Sequence, residues 1–428
     1  MTKYDTSTPV LLLAGQENAL SITRNLGRRG IDVRVSGKKS CWALYSRYCK
    51  KSYVVADDLD ILDYWHNLLI TPENNPLKGH IIIACNDDAL EFVIANREAL
   101  EELYTLEEFD RDLNIELLDK QATIDLAQKA DVPAPKYWPV QSMEDIDALE
   151  GELKLPVIIK PINSVAFRRK IGAKLLIAEE SFDELRTHAA RAFEHDLEVM
   201  VVELIPGGDD QLCSYFTYIT PSGDYLFDYT KSVIRRYPVG YGGGSCHITN
   251  WQPDVMEMGR KFFESTGFRG MGNIEFKRDG DILKIIEVNT RFAGSHELIT
   301  TSGAPIDWIV YCHLTGQEIP TYDKYDQGRY LWAPIADTLS FLQLRKQGKL
   351  TFTAWMGDIL AHKITFPTFR ITDPQPAARV IMSIAGKFRT RILGKMFRRR
   401  GNNSDDKNTH YGQGPDDGIQ DAILRTSK

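Results

Sequence analysis

The chain has 428 residues with 43% hydrophobic and 26% charged content, enough for two or three domains with full cores in an ordinary globular protein. Its formal net charge of -7 excludes a general nucleic-acid binder, which needs a basic domain. Six scattered cysteines (Cys41, Cys49, Cys85, Cys213, Cys246, Cys312) without a C-x-x-C pair exclude a disulfide framework and a zinc site. With no apolar signal core at the start and no apolar run long enough for a bilayer, a cytoplasmic protein is expected.

Residues 10–14 (V-L-L-L-A) carry the signal of a short buried strand, a helical pattern runs on to Gly30, and 31–35 reads as a second strand. This β-α-β opening predicts an open parallel sheet, and the lack of G-x-G-x-x-G speaks against a dinucleotide. Residues 81–84 are another buried strand. Asn86-Asp87-Asp88 follows its carboxyl end, where such sheets bind ligands. Asp87 and Asp88 have two readings, a ligand contact or the cap of a helix from Ala89, and capping is expected for one of them. Asp119 caps a helix over 119–130, and Pro133 and Pro135 then enforce extended chain.

Residues 155–161 (L-P-V-I-I-K-P) place Lys160 at the end of an apolar run, where a buried lysine calls for an anion. The stretch 163–174 holds Arg168, Arg169, Lys170, Gly172 and Lys174. It is either a lid that folds over a triphosphate or a solvated charge run, and its position favours the lid. Residues 198–205 form a strand broken by Pro206-Gly207-Gly208. In 231–245 a basic strand runs into Gly242, Gly243 and Gly244, which allow close backbone approach to a phosphate or carboxylate. Arg235 and Arg236 point to opposite faces of that strand, so at most one faces a site. Cys246-His247 reads as a buried thiol and a packed histidine.

Residues 270–295 read as a β-hairpin whose apolar strands carry Glu275, Glu287 and Asn289. Glu287 and Asn289 share a face because they are two apart. A two-residue loop at Asp279-Gly280 sends Glu275 to the opposite face. A three-residue loop ending at Asp281 pairs it with Ile285 and brings all three together, which is the expected arrangement. Two carboxylates and an amide oxygen are hard ligands suited to Mg²⁺ on a polyphosphate. Arg291 follows on that face if the strand continues, able to meet the charge of a transferring group. Beyond 316 no chemical motif is legible until 377–400, which has eight basic residues, no acid and a row of Val380, Ile384, Phe388, Ile392 and Met396. That segment is either a helix on anionic lipid or one docked on the protein. Residues 401–428 have the composition of a disordered tail.

E-V-N-T-R after an upstream G-N-I-E-F resembles the metal-binding signature of the ATP-grasp superfamily. More narrowly it resembles its carboxylate–amine ligases, which include D-aspartate ligases, and the likeness runs in order over 10–315. The resemblance implies an α/β fold: a preATP-grasp open parallel sheet (1–115), then an ATP-grasp α+β domain (116–315) with a lid subdomain about 131–202. A mixed C-terminal extension (316–400) and the tail would follow. It implies that Lys120, Lys160 and Lys174 contact phosphate, that Lys231 also binds the nucleotide, and that backbone at Glu203, Leu204 and Ile205 pairs with adenine. Asp209 or Asp210 would take the ribose, with Asp210 preferred. Glu275, Glu287 and Asn289 would hold Mg²⁺ or Mn²⁺, and Arg291, with Lys174, would act in catalysis. Asp87, Arg47 and Arg235 are weaker substrate contacts. The implied activity is ATP-dependent amide formation between a small-molecule carboxylate and an amine through an acyl phosphate. An ATP-grasp phosphotransferase and a non-catalytic nucleotide-binding module are the alternatives. Partners are small molecules, with no nucleic acid, and peripheral membrane contact through 377–400 is the one lipid interaction considered.

Overall fold

The computed structural model describes residues 4–386 apart from 72–74, 163–166, 168–169, 174 and 323. Its first sheet is made of β1 (Val10–Leu13), β2 (Val33–Lys38), β3 (Cys49–Val55), β4 (Ile81–Ala84) and β5 (Thr105–Leu106), all parallel in the order β3-β2-β1-β4-β5. Every residue of β1 is buried because both faces are covered. Val10 and Leu12 enter one core with the helix Glu17–Arg28, while Leu11 and Leu13 enter another with Trp65 and Phe92. The order of strand addition reverses between β1 and β4, so the ends of these two strands frame the crevice that open parallel sheets use for ligands. Gly15 turns the chain there at φ +81, and a Cβ on it would lie 2.4 Å from that of Cys85.

The second sheet holds β6 (Tyr137–Val140), β7 (Val157–Pro161), β8 (Leu176–Ala178) and β9 (Val199–Glu203), antiparallel in the order β6-β9-β7-β8. Val157 and Ile159 pack inward with Leu185 and Ala189 of the helix Phe182–Phe193, which turns Ile158 and Lys160 to the other face.

The third sheet is assembled from β10 (Leu212–Ile219), β11 (Tyr225–Tyr237), β12 (Gly243–Thr249), β13 (Gly270–Asp279), β14 (Ile282–Asn289), β15 (Arg329–Trp332) and β16 (Lys363–Thr365). Their order is β14-β13-β10-β11-β12-β15-β16. β10, to which the sequence reading assigns no element, is buried along its whole length between β13 and β11. On one face of this sheet Cys213, Tyr215, Ile274 and Phe276 pack with Phe262 and Phe263 of the helix Pro253–Thr266.

β15 and β16 come from the stretch expected to be a separate extension, so 329–365 completes this sheet. Asp337, fully buried, fixes it in place. Its carboxylate accepts from Arg235 (Nε, 2.8 Å), Ser245 (Oγ, 3.0 Å) and the indoles of Trp332 (2.9 Å) and Trp355 (2.8 Å). A strap at 368–373 then returns to the first sheet. Asp373 accepts from Arg24 Nε (2.9 Å), Ser46 Oγ (2.7 Å) and Arg47 N (3.0 Å), while Arg370 Nε donates to Glu297 at 2.6 Å. Further on, Val380 packs against the first sheet's core and the Arg379 guanidinium lies 4.8 Å over the Tyr45 ring. The described start of 377–400 is therefore docked on the protein. The rest of that segment and 401–428 lie outside the described residues. Among the described residues no helix is long and apolar enough to cross a membrane.

Candidate active site

The hairpin reaches its polar face by a different route from the one expected. Asp279 pairs with Ile282, so the turn is the two residues Gly280-Asp281, not three, and Gly280 takes φ +59. Continued regularly, that register would set Glu275 opposite Ile286 and turn Glu287 to the other face. A β-bulge intervenes: Phe276 pairs with Ile285 and Glu275 with Glu287, leaving Ile286 as the extra residue. The core demands it. Leu283, Ile285 and Val288 all enter the apolar layer, and the step from Ile285 to Val288 breaks period two. The result is Glu275 directly across from Glu287 and Asn273 directly across from Asn289.

Two carboxylates facing each other on adjacent strands repel unless a cation lies between them. Beside Asn289, Asn273 is fully buried, and its Oδ1 has no hydrogen-bond partner although its amide donates to Tyr215 O at 3.1 Å. Among the described residues no group of three or more His, Cys, Asp or Glu side chains is arranged for a metal. The two glutamates with amide oxygens are thus the donor set to consider, and hard oxygen donors of this kind fit Mg²⁺ or Mn²⁺.

Cations surround the pair. Lys160 Nζ reaches the carbonyl of the bulged Ile286 at 3.5 Å. Burial depresses its pKa against the pull of Glu287 and Glu275, and Lys120 adds to the depression. Lys120, capped into its helix by Asp119, donates to Ile162 O at 3.4 Å. Across the sheet from Glu275 stand Ser214 and then Lys231, whose Nζ donates to Ser214 Oγ at 3.0 Å. Arg291 lies just beyond β14, so the strand does not continue to it. Its Nε donates to Asp87 Oδ1 at 2.6 Å, joining the first sheet's ligand edge to the hairpin. Burial opposes the Arg291 charge, but Asp87, Glu287 and Glu275 together outweigh it and the pKa rises. Asn86, rather than either aspartate, caps the helix Asp87–Ala95 through Ala89 N at 2.9 Å, which leaves Asp87 available for that contact.

At the end of β9, Glu203 accepts from Lys136 N (3.0 Å) and Lys284 Nζ (2.8 Å). Burial raises its pKa, but Lys284 and Lys136 bring the net value below the ordinary one. The Ile205 carbonyl accepts from Lys277 Nζ at 2.7 Å, and Leu204 N reaches Pro156 O at 3.4 Å. Asp209 is committed to Arg236 at 2.8 Å, whereas Asp210 is exposed with Gln211 as neighbour.

Residues 228–331, which span β11 to most of β15, match the family described as ATP-grasp in the biosynthetic pathway with Ter operon. The crystal structure of N5-carboxyaminoimidazole ribonucleotide synthetase in its ADP complex superposes with a TM-score of 0.58 at 12% identity, covering 77% of this chain and 82% of the other. The chain has the ATP-grasp fold. Among curated proteins, D-aspartate ligase of Enterococcus faecium is 26% identical over 248 residues, covering 53% of this chain and 56% of the relative. D-alanine–D-alanine ligase of Acinetobacter baumannii is 26% identical over 183 residues, covering 40% and 56%. The matched part therefore spans little more than half the length of these curated relatives.

Glu275, Glu287, Asn289, Lys160, Lys231, Arg291 and Asp87 lie around one hairpin face. Two expected substrate contacts are elsewhere. Arg47 donates to Thr372 O at 3.2 Å and belongs to the strap. Arg235 is held by Asp337 and by Asp358 (2.6 Å), so its guanidinium ties β11 to the helices Pro334–Lys346 and Phe352–Leu360. Neither acid has a signature in sequence that predicts this pairing. Lys174 and most of the expected lid lie outside the described residues. Asn273, Ser214 and His247 join the face without having been expected there. Asn273 was legible, since it shares Glu275's parity in G-N-I-E-F, but Ser214 sits on the unrecognised β10.

Proposed function

We propose that the protein is an ATP-dependent carboxylate–amine ligase. The observation that carries this reading is Glu275 facing Glu287 beside Lys160, Lys231 and Arg291, a layout suited to a metal polyphosphate next to an anionic acyl group. The curated ligases it resembles make amino acids the first substrates to try.

In this reading Glu275, Glu287 and an amide oxygen of Asn289 hold Mg²⁺, which when bound neutralises phosphate charge. Lys120, Lys160 and Lys231 hold phosphate oxygens, with Lys174 contributing from beyond the described residues. Backbone groups over 203–205 accept the adenine and Asp210 the ribose hydroxyls. A substrate carboxylate oxygen attacks the γ-phosphorus, the bond to the β–γ bridging oxygen breaks, and ADP leaves. The amine nitrogen then attacks the acyl carbon, the C–O bond to phosphate breaks, the nitrogen sheds a proton and phosphate departs. Arg291, oriented through Nε by Asp87, presents its remaining N–H groups to the oxyanions of both steps.

The test is ADP release from MgATP across pairs of amino acids and simple amines. A ligase releases ADP in stoichiometric step with amide only when acid and amine are both present. ADP release with an acid alone, accumulating a phosphorylated product that no amine consumes, would make it a phosphotransferase instead.

A further inference from the structure

Lys231 is 3% exposed and, among the described residues, is ion-paired with no carboxylate; Glu275 acts on its charge only from the far side of Ser214. A buried cation without an acid is costly, so its surroundings must supply other acceptors. It has two: Ser214 Oγ at 3.0 Å and His247 Nδ1 at 3.4 Å, with the Phe216 ring 5.7 Å away. An ammonium carries three hydrogens, so one remains beyond these two contacts.

His247 is placed for this by the glycine run before it. A Cβ on Gly244 would lie 2.1 Å from His247 Cε1 and 2.2 Å from Nε2, so glycine at the start of β12 lets the ring edge rest against the strand. Burial and the neighbouring Lys231 hold the imidazole pKa well below its usual value, keeping the ring neutral. In a neutral ring whose Nδ1 accepts from Lys231, the hydrogen sits on Nε2, on the glycine side.

We infer that His247 is a positioning residue for nucleotide: its Nδ1, together with Ser214 Oγ, aims the Lys231 ammonium so that the remaining N–H meets a phosphate oxygen. The inference rests on the nucleotide-binding reading above. It also gives the third glycine of G-G-G a role, making room for the ring that orients the lysine.

Two substitutions separate this from simple packing. His247→Phe keeps a flat ring over Gly244 and removes the acceptor; His247→Asn keeps an acceptor near Nδ1 and removes the ring. Titration calorimetry of the full chain with MgADP and with a non-hydrolysable MgATP analogue should show His247→Phe weaker by about tenfold, the scale of one hydrogen bond to a charged group. His247→Asn should stay within about threefold on the same scale. Ser214→Ala, which leaves the ring untouched, should weaken both nucleotides in the same direction and guards against a His247→Phe protein that does not fold. Wild-type affinity in both His247→Phe and Ser214→Ala overturns the inference, as does a His247→Asn protein as weak as His247→Phe. A wild-type protein that binds neither nucleotide overturns the functional reading beneath it.

Discussion

At the scale of single residues, the most telling contact is Arg291 with Asp87, 2.6 Å apart across 204 positions of sequence. If Arg291 serves the chemical step, Arg291→Lys should lower kcat by about 10²–10³ with little change in ATP affinity, because a point charge replaces a fixed planar fork. Matched losses of turnover, ATP affinity and thermal stability would instead mark it as a brace for the hairpin. Local chemistry made several of these residues legible: Lys160 closing an apolar run, and Glu275, Glu287 and Asn289 inside strands that otherwise exclude polar groups. The partners of Arg235 and Arg47 were not legible for the opposite reason. An arginine shows its charge in sequence but not its partner, and both partners lie more than 100 positions away.

At the scale of elements, the bulge at Ile286 does two jobs. It restores Glu287 to the face of Glu275 after a two-residue turn, and it offers its carbonyl to Lys160. Deleting Ile286 separates them, since Phe276–Ile285 and Glu275–Glu287 can then pair in an unbroken ladder. The deletion variant should retain Mn²⁺ binding at the glutamates, measured by electron paramagnetic resonance. It should lose about tenfold in MgADP affinity as Lys160 loses its anchor. Loss of Mn²⁺ binding would mean that the bulge shapes the metal ligands themselves. The hairpin was readable from its alternation and from the glycine at 280, while the turn residues and the bulge were not. Ile285 and Ile286 are chemically identical neighbours, and only the packed core decides which one faces inward. β10 escaped for a related reason: enclosed by β13 and β11 and buried on both faces, L-C-S-Y-F-T-Y-I lacks the clean alternation of a half-exposed strand.

At the scale of the whole molecule, contacts from the first and second sheets converge on the hairpin of the third, and residues 368–373 brace the first sheet against the helix that follows the hairpin. Arg24 and Asp373 form a buried pair with side chains 0% and 1% exposed. The strap that carries Asp373 also carries Arg370, bound to Glu297 in the helix that follows Arg291. The same strap thus grips the first sheet's unit and the helix that follows the hairpin. Charge pairs that close such distances are set by the fold, which is why 329–373 showed no legible chemistry although it completes one sheet and clasps another.

The carboxylate–phosphate step itself is the direct test of the account. With the acid and amine selected by ADP release, the acid's carboxylate is labelled with oxygen-18 and the released phosphate is analysed by mass. Attack of the carboxylate on the γ-phosphorus, followed by amide formation, transfers one labelled oxygen into phosphate for each amide made. Amide formed with unlabelled phosphate would contradict the acyl-phosphate route and, with it, the roles assigned to Lys160, Lys231 and Arg291.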